Sequence, residues 1–316
     1  MPPFGSPQAR SPDLGRHSAM TVTVEAMPDE RARLFDAHRS QLRAVGYRML
    51  GSFSEADDAV QDAWFRFAKA DPAGIANVGG WLTTVTSRIC LDRLRQCRAH
   101  PEESLDVFVP DPIVTAADGG DPEGAAVLAD SVGLALLVVL ETLPPLERLA
   151  FVLHDSFGLP FDEIAPIVDR SVDATRQLAS RARRRVQQTP ALAAGAYDTV
   201  RQRELVDAWV KAAQRGDFDT LLQLLDPNVV LRLDTGDAKT SRHLVGATRV
   251  ARSAIAFSRY ATTSPRVVLI NGAPGLVNER DGVPVSVAHV TVVDGKVVAL
   301  DILADPERLA RLDLPG

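Results

Sequence analysis

The chain has 316 residues, of which 46% are hydrophobic and 24% charged, and its formal net charge at pH 7 is −6. This length predicts two or three domains, and the composition is typical of a globular protein. No apolar run reaches the roughly 20 residues of a membrane span, so we exclude a spanning protein and expect no membrane partner. Two cysteines, Cys90 and Cys97, are too few for a disulfide scaffold, which favours a reducing compartment and a cytoplasmic location.

The charge is distributed unevenly along the chain. Residues 1–28 are rich in Pro, Ser and small polar residues and lack the pattern of a signal peptide, so we predict a disordered tail. Residues 101–130 carry eight carboxylates and no Lys or Arg, with several prolines and glycines, which predicts an acidic linker without structure. Removing these eight charges from the net −6 leaves +2, so the units that flank the linker can still bind phosphates.

Residues 29–100 have the apolar periodicity of helices. Ser54 can cap an amphipathic helix, and a second helix from about Gly80 to Arg98 concentrates positive charge near its end. Three polar residues of the first helix lie away from its apolar stripe: Asp58, Gln61 and Asp62. From the pattern alone, these three belong to an ordinary solvated face.

Residues 131–190 have the spacing of a helix-turn-helix. A short helix, Phe161–Val168, is interrupted at Asp169, and Ser171 caps a final helix that ends near Gln187. One face of that helix carries Asp173, Arg176, Gln177, Ser180, Arg181 and Arg184. Arg and Gln carry the donors that recognise guanine and adenine edges in the major groove. Because residues 174–186 hold five arginines and no acid to pair with them, a DNA-reading surface is favoured over an ordinary amphipathic one.

Residues 197–316 begin with a helix and continue as strands, which predicts an α+β domain in the form of a cone. Asp294 and Gly295 form the turn of a terminal hairpin. Three residues are candidates for a pocket: Asp234, His243 and His289. Regular pairing from the turn would place His289 and Asp301 on opposite faces of the sheet, which argues against a catalytic dyad. A buried structural histidine is the plainer interpretation of His289, and we expect no enzyme.

The two helical units and their linker together resemble a bacterial sigma factor of the extracytoplasmic-function group. The segment 58–64 looks like the polymerase-binding helix of region two in that family. Trp81 and Leu82, with the arginines that follow them, resemble the segment that melts and reads the minus-ten element. The segments 143–148 and 161–165 resemble region four, which reads the minus-thirty-five element.

The resemblance covers roughly residues 30–190 and implies that core RNA polymerase and promoter DNA are the partners. It makes residues 29–100 region two and residues 131–190 region four. The implied polymerase-binding residues are Asp58, Gln61 and Asp62. The implied DNA-binding residues are Arg88, Arg95 and Gln96 in region two and Arg176, Gln177, Ser180, Arg181 and Arg184 in region four.

The third unit, residues 197–316, resembles the SnoaL-like (polyketide-cyclase-like) domains that some of these sigma factors carry. Residues 108–112 and 305–309 resemble the linker motif and the C-terminal motif of that subgroup. The resemblance therefore implies two all-α sigma units followed by an α+β domain that tunes their activity. Whether a small molecule binds this domain is left open.

Two other functions remain possible from the sequence. One is a DNA-binding regulator that senses a small molecule and works without polymerase, and the other is an enzyme that acts through the C-terminal pocket. For all three functions we expect no metal and no cofactor. No histidine pair accompanies the two cysteines to complete a metal site.

Overall fold

The computed structural model describes residues 28–71, 74–99, 107–117, 133–189, 199–260 and 263–315. The predicted disordered tail lies outside these residues except for Pro28, and so does most of the predicted acidic linker. Within the described ranges, no helix is long and apolar enough to cross a membrane. The same ranges hold no group of three His, Cys, Asp or Glu side chains placed to bind a metal ion.

Three helices form the first unit: α1 (Pro28–Leu50), α2 (Phe53–Lys69) and α3 (Val78–Ala99). An aromatic and aliphatic core that includes Phe35, Phe67 and Leu82 joins them. The predicted cap at Ser54 is wrong, because Ser52 is the residue with extended backbone and its hydroxyl accepts a hydrogen bond from the Glu55 N–H. Ser54 itself lies inside the first turn of α2, where its backbone is helical.

The second unit is also helical. Its helices are α4 (Leu134–Thr142), α5 (Pro145–Phe151), α6 (Phe161–Val168) and α7 (Val172–Gln187), with a π-helical turn at Val152–Ser156. The predicted helix-turn-helix is confirmed in α6 and α7. Asp169 ends α6 with a left-handed φ of 55°, and the Ser171 hydroxyl caps α7 by accepting from the Ala174 N–H.

The third unit has the α+β fold that the sequence predicts. Helices α8 (Thr199–Arg215), α9 (Phe218–Leu224) and α10 (Ala247–Tyr260) pack on one face of a sheet, and α11 (Pro306–Leu309) follows it. The strands are β2 (Leu225–Asp234), β3 (Arg242–Val245), β4 (Ser264–Ile270), β5 (Ala273–Arg280), β6 (Val283–Val293) and β7 (Lys296–Leu303). The predicted hairpin turn is confirmed, because Asp294 and Gly295 both have positive φ.

Part of the predicted linker is folded, so its assignment as unstructured is wrong for residues 107–117. Val107 and Val109 are buried, and the strand β1 (Val114–Thr115) pairs with β4. The seven strands therefore have the order β1-β4-β5-β6-β7-β2-β3. Prolines at 110 and 112 exclude a helix, but their fixed φ suits an extended segment at a sheet edge.

The sheet lies between two apolar cores because alternate residues of each strand point to opposite faces. On one face, Leu276 of β5 and Leu300 of β7 pack with the domain's own helices. On the other face, Val277 and Leu303 share a core with both helical units, including Leu149 of α5. The C-terminal domain is thus packed directly on the two helical units.

Candidate functional site

The predicted polymerase-binding residues lie together on an exposed face of α2. Asp58, Gln61 and Asp62 are all exposed, as their helical spacing requires. Asp62 Oδ2 accepts a hydrogen bond of 2.8 Å from Arg93 of α3, which also donates to the Glu55 carbonyl. The contacts of Arg93 hold α2 against α3, while the Asp58 carboxylate faces solvent.

The predicted DNA contacts of the first unit lie on α3. Arg88, Arg95 and Gln96 are exposed, and Arg88 and Arg95 are two helical turns apart on one face. The Arg88 guanidinium donates a hydrogen bond of 2.9 Å to the carbonyl of Pro166 in α6. In this arrangement the second helical unit therefore already uses one of the predicted DNA contacts.

Helix α7 carries its five predicted DNA contacts on one exposed surface. Exposed residues along this face are Arg176, Gln177, Ser180 and Arg184, and Arg176 is paired with Asp173 one turn earlier. The fifth, Arg181, donates from Nε to Glu147 Oε1 of α5 at 2.8 Å. The expectation that these arginines lack acidic partners is therefore wrong, because Asp173 of the same helix pairs with Arg176 and Glu147 of α5 pairs with Arg181.

Glu147 is a positioning residue that the sequence analysis missed. Its carboxylate is buried, accepts from Arg181 and lies 3.2 Å from Arg185. A buried carboxylate is costly unless cations pair with it, so these contacts fix α7 on α5. Arg181 therefore holds α7 in place against α5.

Arg148 ties the two helical units together. Its side chain is only 1% exposed, it donates twice to the Arg48 carbonyl at the end of α1, and its Nη2 lies 2.6 Å from Glu141 Oε1. The planar guanidinium suits such multiple donation. No periodicity marks this residue, which the sequence shows only as part of the segment 143–148.

A second cluster, which we call the linker clamp, joins the linker to the C-terminal domain. It consists of Val109, Asp111, Asp234 and Arg308. Arg308 donates to the Asp111 carboxylate at 2.7 Å, to Asp234 at 2.8 Å and to the Val109 carbonyl at 2.5 Å. The Val109 N–H in turn donates to Asp234. Both carboxylates are buried, and Arg308 pairs with both of them.

Asp111 also connects the linker clamp to the first helical unit. Its second carboxylate oxygen accepts from the Phe53 N–H at 2.7 Å, and its own N–H donates to the Gly51 carbonyl at 2.7 Å. The Tyr47 hydroxyl donates to the Asp111 carbonyl, and burial raises the pKa of this phenol. One residue thus bridges the C-terminal domain and the start of α2.

The structure does not bring the three predicted pocket residues together in the cavity of the C-terminal domain. Asp234 is fully buried in the linker clamp, His243 is exposed on the edge strand β3, and His289 is buried on β6. The cavity of the C-terminal domain has a volume of about 310 Å³ and is lined by none of the three. His243 and His289 lie at strand positions that are directed away from the helices covering this cavity. Asp234 is the last residue of β2.

The predicted separation of His289 and Asp301 is also wrong. Pairing starts at Val293 and Lys296 as expected, but the register shifts by one residue between Thr291 and Val292. This bulge places His289 directly opposite Asp301 and therefore on the same face. Asp301 Oδ1 accepts from Arg232 at 2.8 Å, so the buried carboxylate is paired with a guanidinium.

The buried His289 predicts how the free energy of unfolding depends on pH. Burial lowers its pKa below the ordinary 6.5, and Asp301 opposes that shift. The unfolded chain therefore takes up the proton first, and stability is lost as the pH falls below 6.5 toward the lower folded pKa, by up to about 1.4 kcal/mol per pH unit. We expect this loss in urea denaturation between pH 7.5 and 5.5, and expect it to be smaller in His289→Gln. Replacing the exposed His243 by Gln is the control, and an equal slope in both variants would contradict the assignment.

Comparisons with known proteins agree with this arrangement. A family model for sigma-70 region 2 matches residues 34–99, and one for sigma-70 region 4 matches residues 133–186. The chain is 39% identical over 288 residues to the ECF RNA polymerase sigma factor SigJ of Mycobacterium tuberculosis, with 87% of this chain and 91% of SigJ covered. It is 33% identical over 282 residues to the probable ECF RNA polymerase sigma factor SigI of the same species, covering 89% and 96%.

The fold agrees as well. The crystal structure of Mycobacterium tuberculosis SigJ superimposes with a TM-score of 0.67 at 35% identity and covers 90% of this chain and all of that one. The similarity thus includes both helical units and the C-terminal domain. The chain belongs to the extracytoplasmic-function group of RNA polymerase sigma factors.

Proposed function

We propose that this sigma factor binds core RNA polymerase, directs it to promoters in the cytoplasm, and is tuned by its C-terminal domain through the linker. The observation that carries the proposal is the separation of charge between two exposed helix faces. α2 presents Asp58 and Asp62, whereas α7 presents Arg176 and Arg184. Acidic and basic faces on separate helices suit one protein partner and one DNA partner.

The DNA contacts divide between the two helical units. In this proposal α7 enters the major groove, where Arg176, Gln177 and Arg184 reach base edges and phosphates. The face of α3 with Arg88 and Arg95 meets the melted minus-ten element. Melting requires an unstacking energy of a few kcal/mol, which contacts to phosphates and a pocket for the base would recover.

The C-terminal domain tunes this activity in our proposal by favouring a compact arrangement. Arg88 is engaged with Pro166, and Asp111 links α2 to the sheet domain through Arg308. The contact with Pro166 would have to break before Arg88 reaches DNA, and the contacts of Asp111 hold the sheet domain against the first helical unit meanwhile. A bias of this kind between compact and extended arrangements amounts to about 1–3 kcal/mol.

The cavity of the C-terminal domain argues against the enzyme alternative. Among its lining residues in the described chain there is no Asp, Glu, His, Cys, Lys or Tyr. General acid–base catalysis requires such a group within hydrogen-bond reach of the substrate. We therefore propose that the domain acts without catalysis.

Polymerase binding by α2 is tested with Asp58→Arg. The carboxylate makes no ion pair within the described residues, so reversing its charge disturbs the fold little and places a cation against the polymerase. We expect the affinity for core polymerase to fall about tenfold or more in biolayer interferometry, because like charges across an interface are costly.

The matched control is Asp219→Arg, which makes the same change on the exposed surface of α9. It is expected to bind core polymerase as the unchanged protein does. Equal affinities for Asp58→Arg and Asp219→Arg would remove α2 from the polymerase interface.

A further inference from the structure

The cavity of the C-terminal domain lies between the helices and the inner face of the sheet. Its inner wall is apolar and is formed by Trp209 of α8, Leu231 of β2, Leu276 of β5 and Leu300 of β7, all of them buried. At about 310 Å³ it falls within the size range of small-molecule sites in proteins. A cavity of this size with an apolar inner wall suits a molecule with an apolar body.

Polarity increases toward the mouth along a single strand. Alternate residues of β5 that line the cavity are Leu276, Asn278 and Arg280, so the wall changes from aliphatic to amide to guanidinium. Arg280 is exposed, and it is the charged residue among the lining residues in the described chain. Because none of the described lining residues is a carboxylate, a cation is disfavoured, and the guanidinium favours an anion or a strong acceptor.

Ser286 on β6 supplies a second polar group at the same depth as Asn278. The Asn278 side-chain amide donates to the Ser286 hydroxyl oxygen at 2.9 Å, and both residues are buried. A hydroxyl that accepts one hydrogen bond keeps its own proton for donation. The pair therefore offers a buried O–H to an acceptor that enters from the mouth.

We propose that this cavity binds a small apolar molecule that carries one carboxylate or carbonyl group. The apolar body lies against Trp209 and Leu276, and the acceptor group accepts a hydrogen bond from the Ser286 hydroxyl and faces Arg280. The inference goes beyond the proposed function, because promoter recognition by the two helical units requires no ligand. If the cavity binds no such molecule, the proposed function in promoter recognition is unaffected.

Two probes with the same naphthalene ring and opposite charge test the ligand class. The full-length protein is titrated by isothermal calorimetry with 2-naphthoate and with 2-naphthylmethylammonium. We expect 2-naphthoate to bind one site per chain, and 2-naphthylmethylammonium to bind at least about tenfold more weakly. We expect Arg280→Gln to weaken 2-naphthoate by about tenfold, while Arg252→Gln on the outer surface of α10 leaves it unchanged.

The location is tested by filling the cavity. Ala254 of α10 lines it, whereas Ala256 of the same helix is exposed. Ala254→Phe is expected to abolish 2-naphthoate binding, and Ala256→Phe to retain it, with both variants checked for an unchanged thermal midpoint. If Ala254→Phe unfolds, Leu300→Phe replaces it. No binding to the unchanged protein, equal affinity for the two probes, or full binding after filling would each overturn the proposal.

Discussion

Replacing Arg308 with alanine is expected to lower the free energy of unfolding by about 3–5 kcal/mol. The reason is that Asp111 and Asp234 are both buried and Arg308 is the cation that pairs with them. Removing one partner of a buried ion pair leaves an uncompensated charge, which costs far more than losing a surface pair. Chemical denaturation at pH 7.5 measures the change.

Arg311→Ala is the matched control for this prediction. Arg311 is exposed three residues further along the chain and makes no ion pair within the described residues. Its removal is expected to change stability by less than about 0.5 kcal/mol. If Arg308→Ala were no more destabilising than Arg311→Ala, the linker clamp would not be an energetic link between the linker and the C-terminal domain.

The second large effect concerns DNA. In the double variant Arg176→Ala with Arg184→Ala, the holoenzyme is expected to lose about a hundredfold in affinity for promoter DNA, since each arginine that contacts a base or phosphate contributes about 1–3 kcal/mol. Affinity for core polymerase is expected to stay unchanged, because both residues lie on α7, away from α2. Fluorescence anisotropy with labelled promoter DNA and biolayer interferometry with core polymerase measure the two affinities.

Arg249→Ala with Arg252→Ala removes the same charge from the exposed surface of α10 and is the control for the DNA prediction. It is expected to leave promoter affinity within about twofold, apart from the weak effect of net charge. Equal loss of polymerase and promoter binding in the α7 variant would contradict the division of labour between α2 and α7.

Features set by local chemistry were predictable from the sequence. Ser171 is a good cap because its hydroxyl reaches an N–H three residues on, and Asp169 tolerates left-handed backbone. The Asp294-Gly295 turn forms where both residues accept positive φ. Each of these features depends on a few neighbouring residues, so a sequence pattern contains the information.

Features set by distant contacts were not predictable. The bulge at Thr291 reverses which residue faces Asp301, and nothing in the hairpin pattern marks it. Arg308 and Asp111 are 197 residues apart, so their pairing depends on how the linker crosses the sheet. Glu147 pairs with Arg181 only because α5 and α7 pack together. These contacts follow from tertiary packing and not from local propensity.

The most direct test is genome-wide run-off transcription with core polymerase in the presence and absence of this protein. We predict that the protein starts RNA synthesis at defined sites that core polymerase alone does not use, and that the Arg176→Ala, Arg184→Ala variant loses those starts. The same transcript profile with and without the protein would contradict its assignment as an initiation factor.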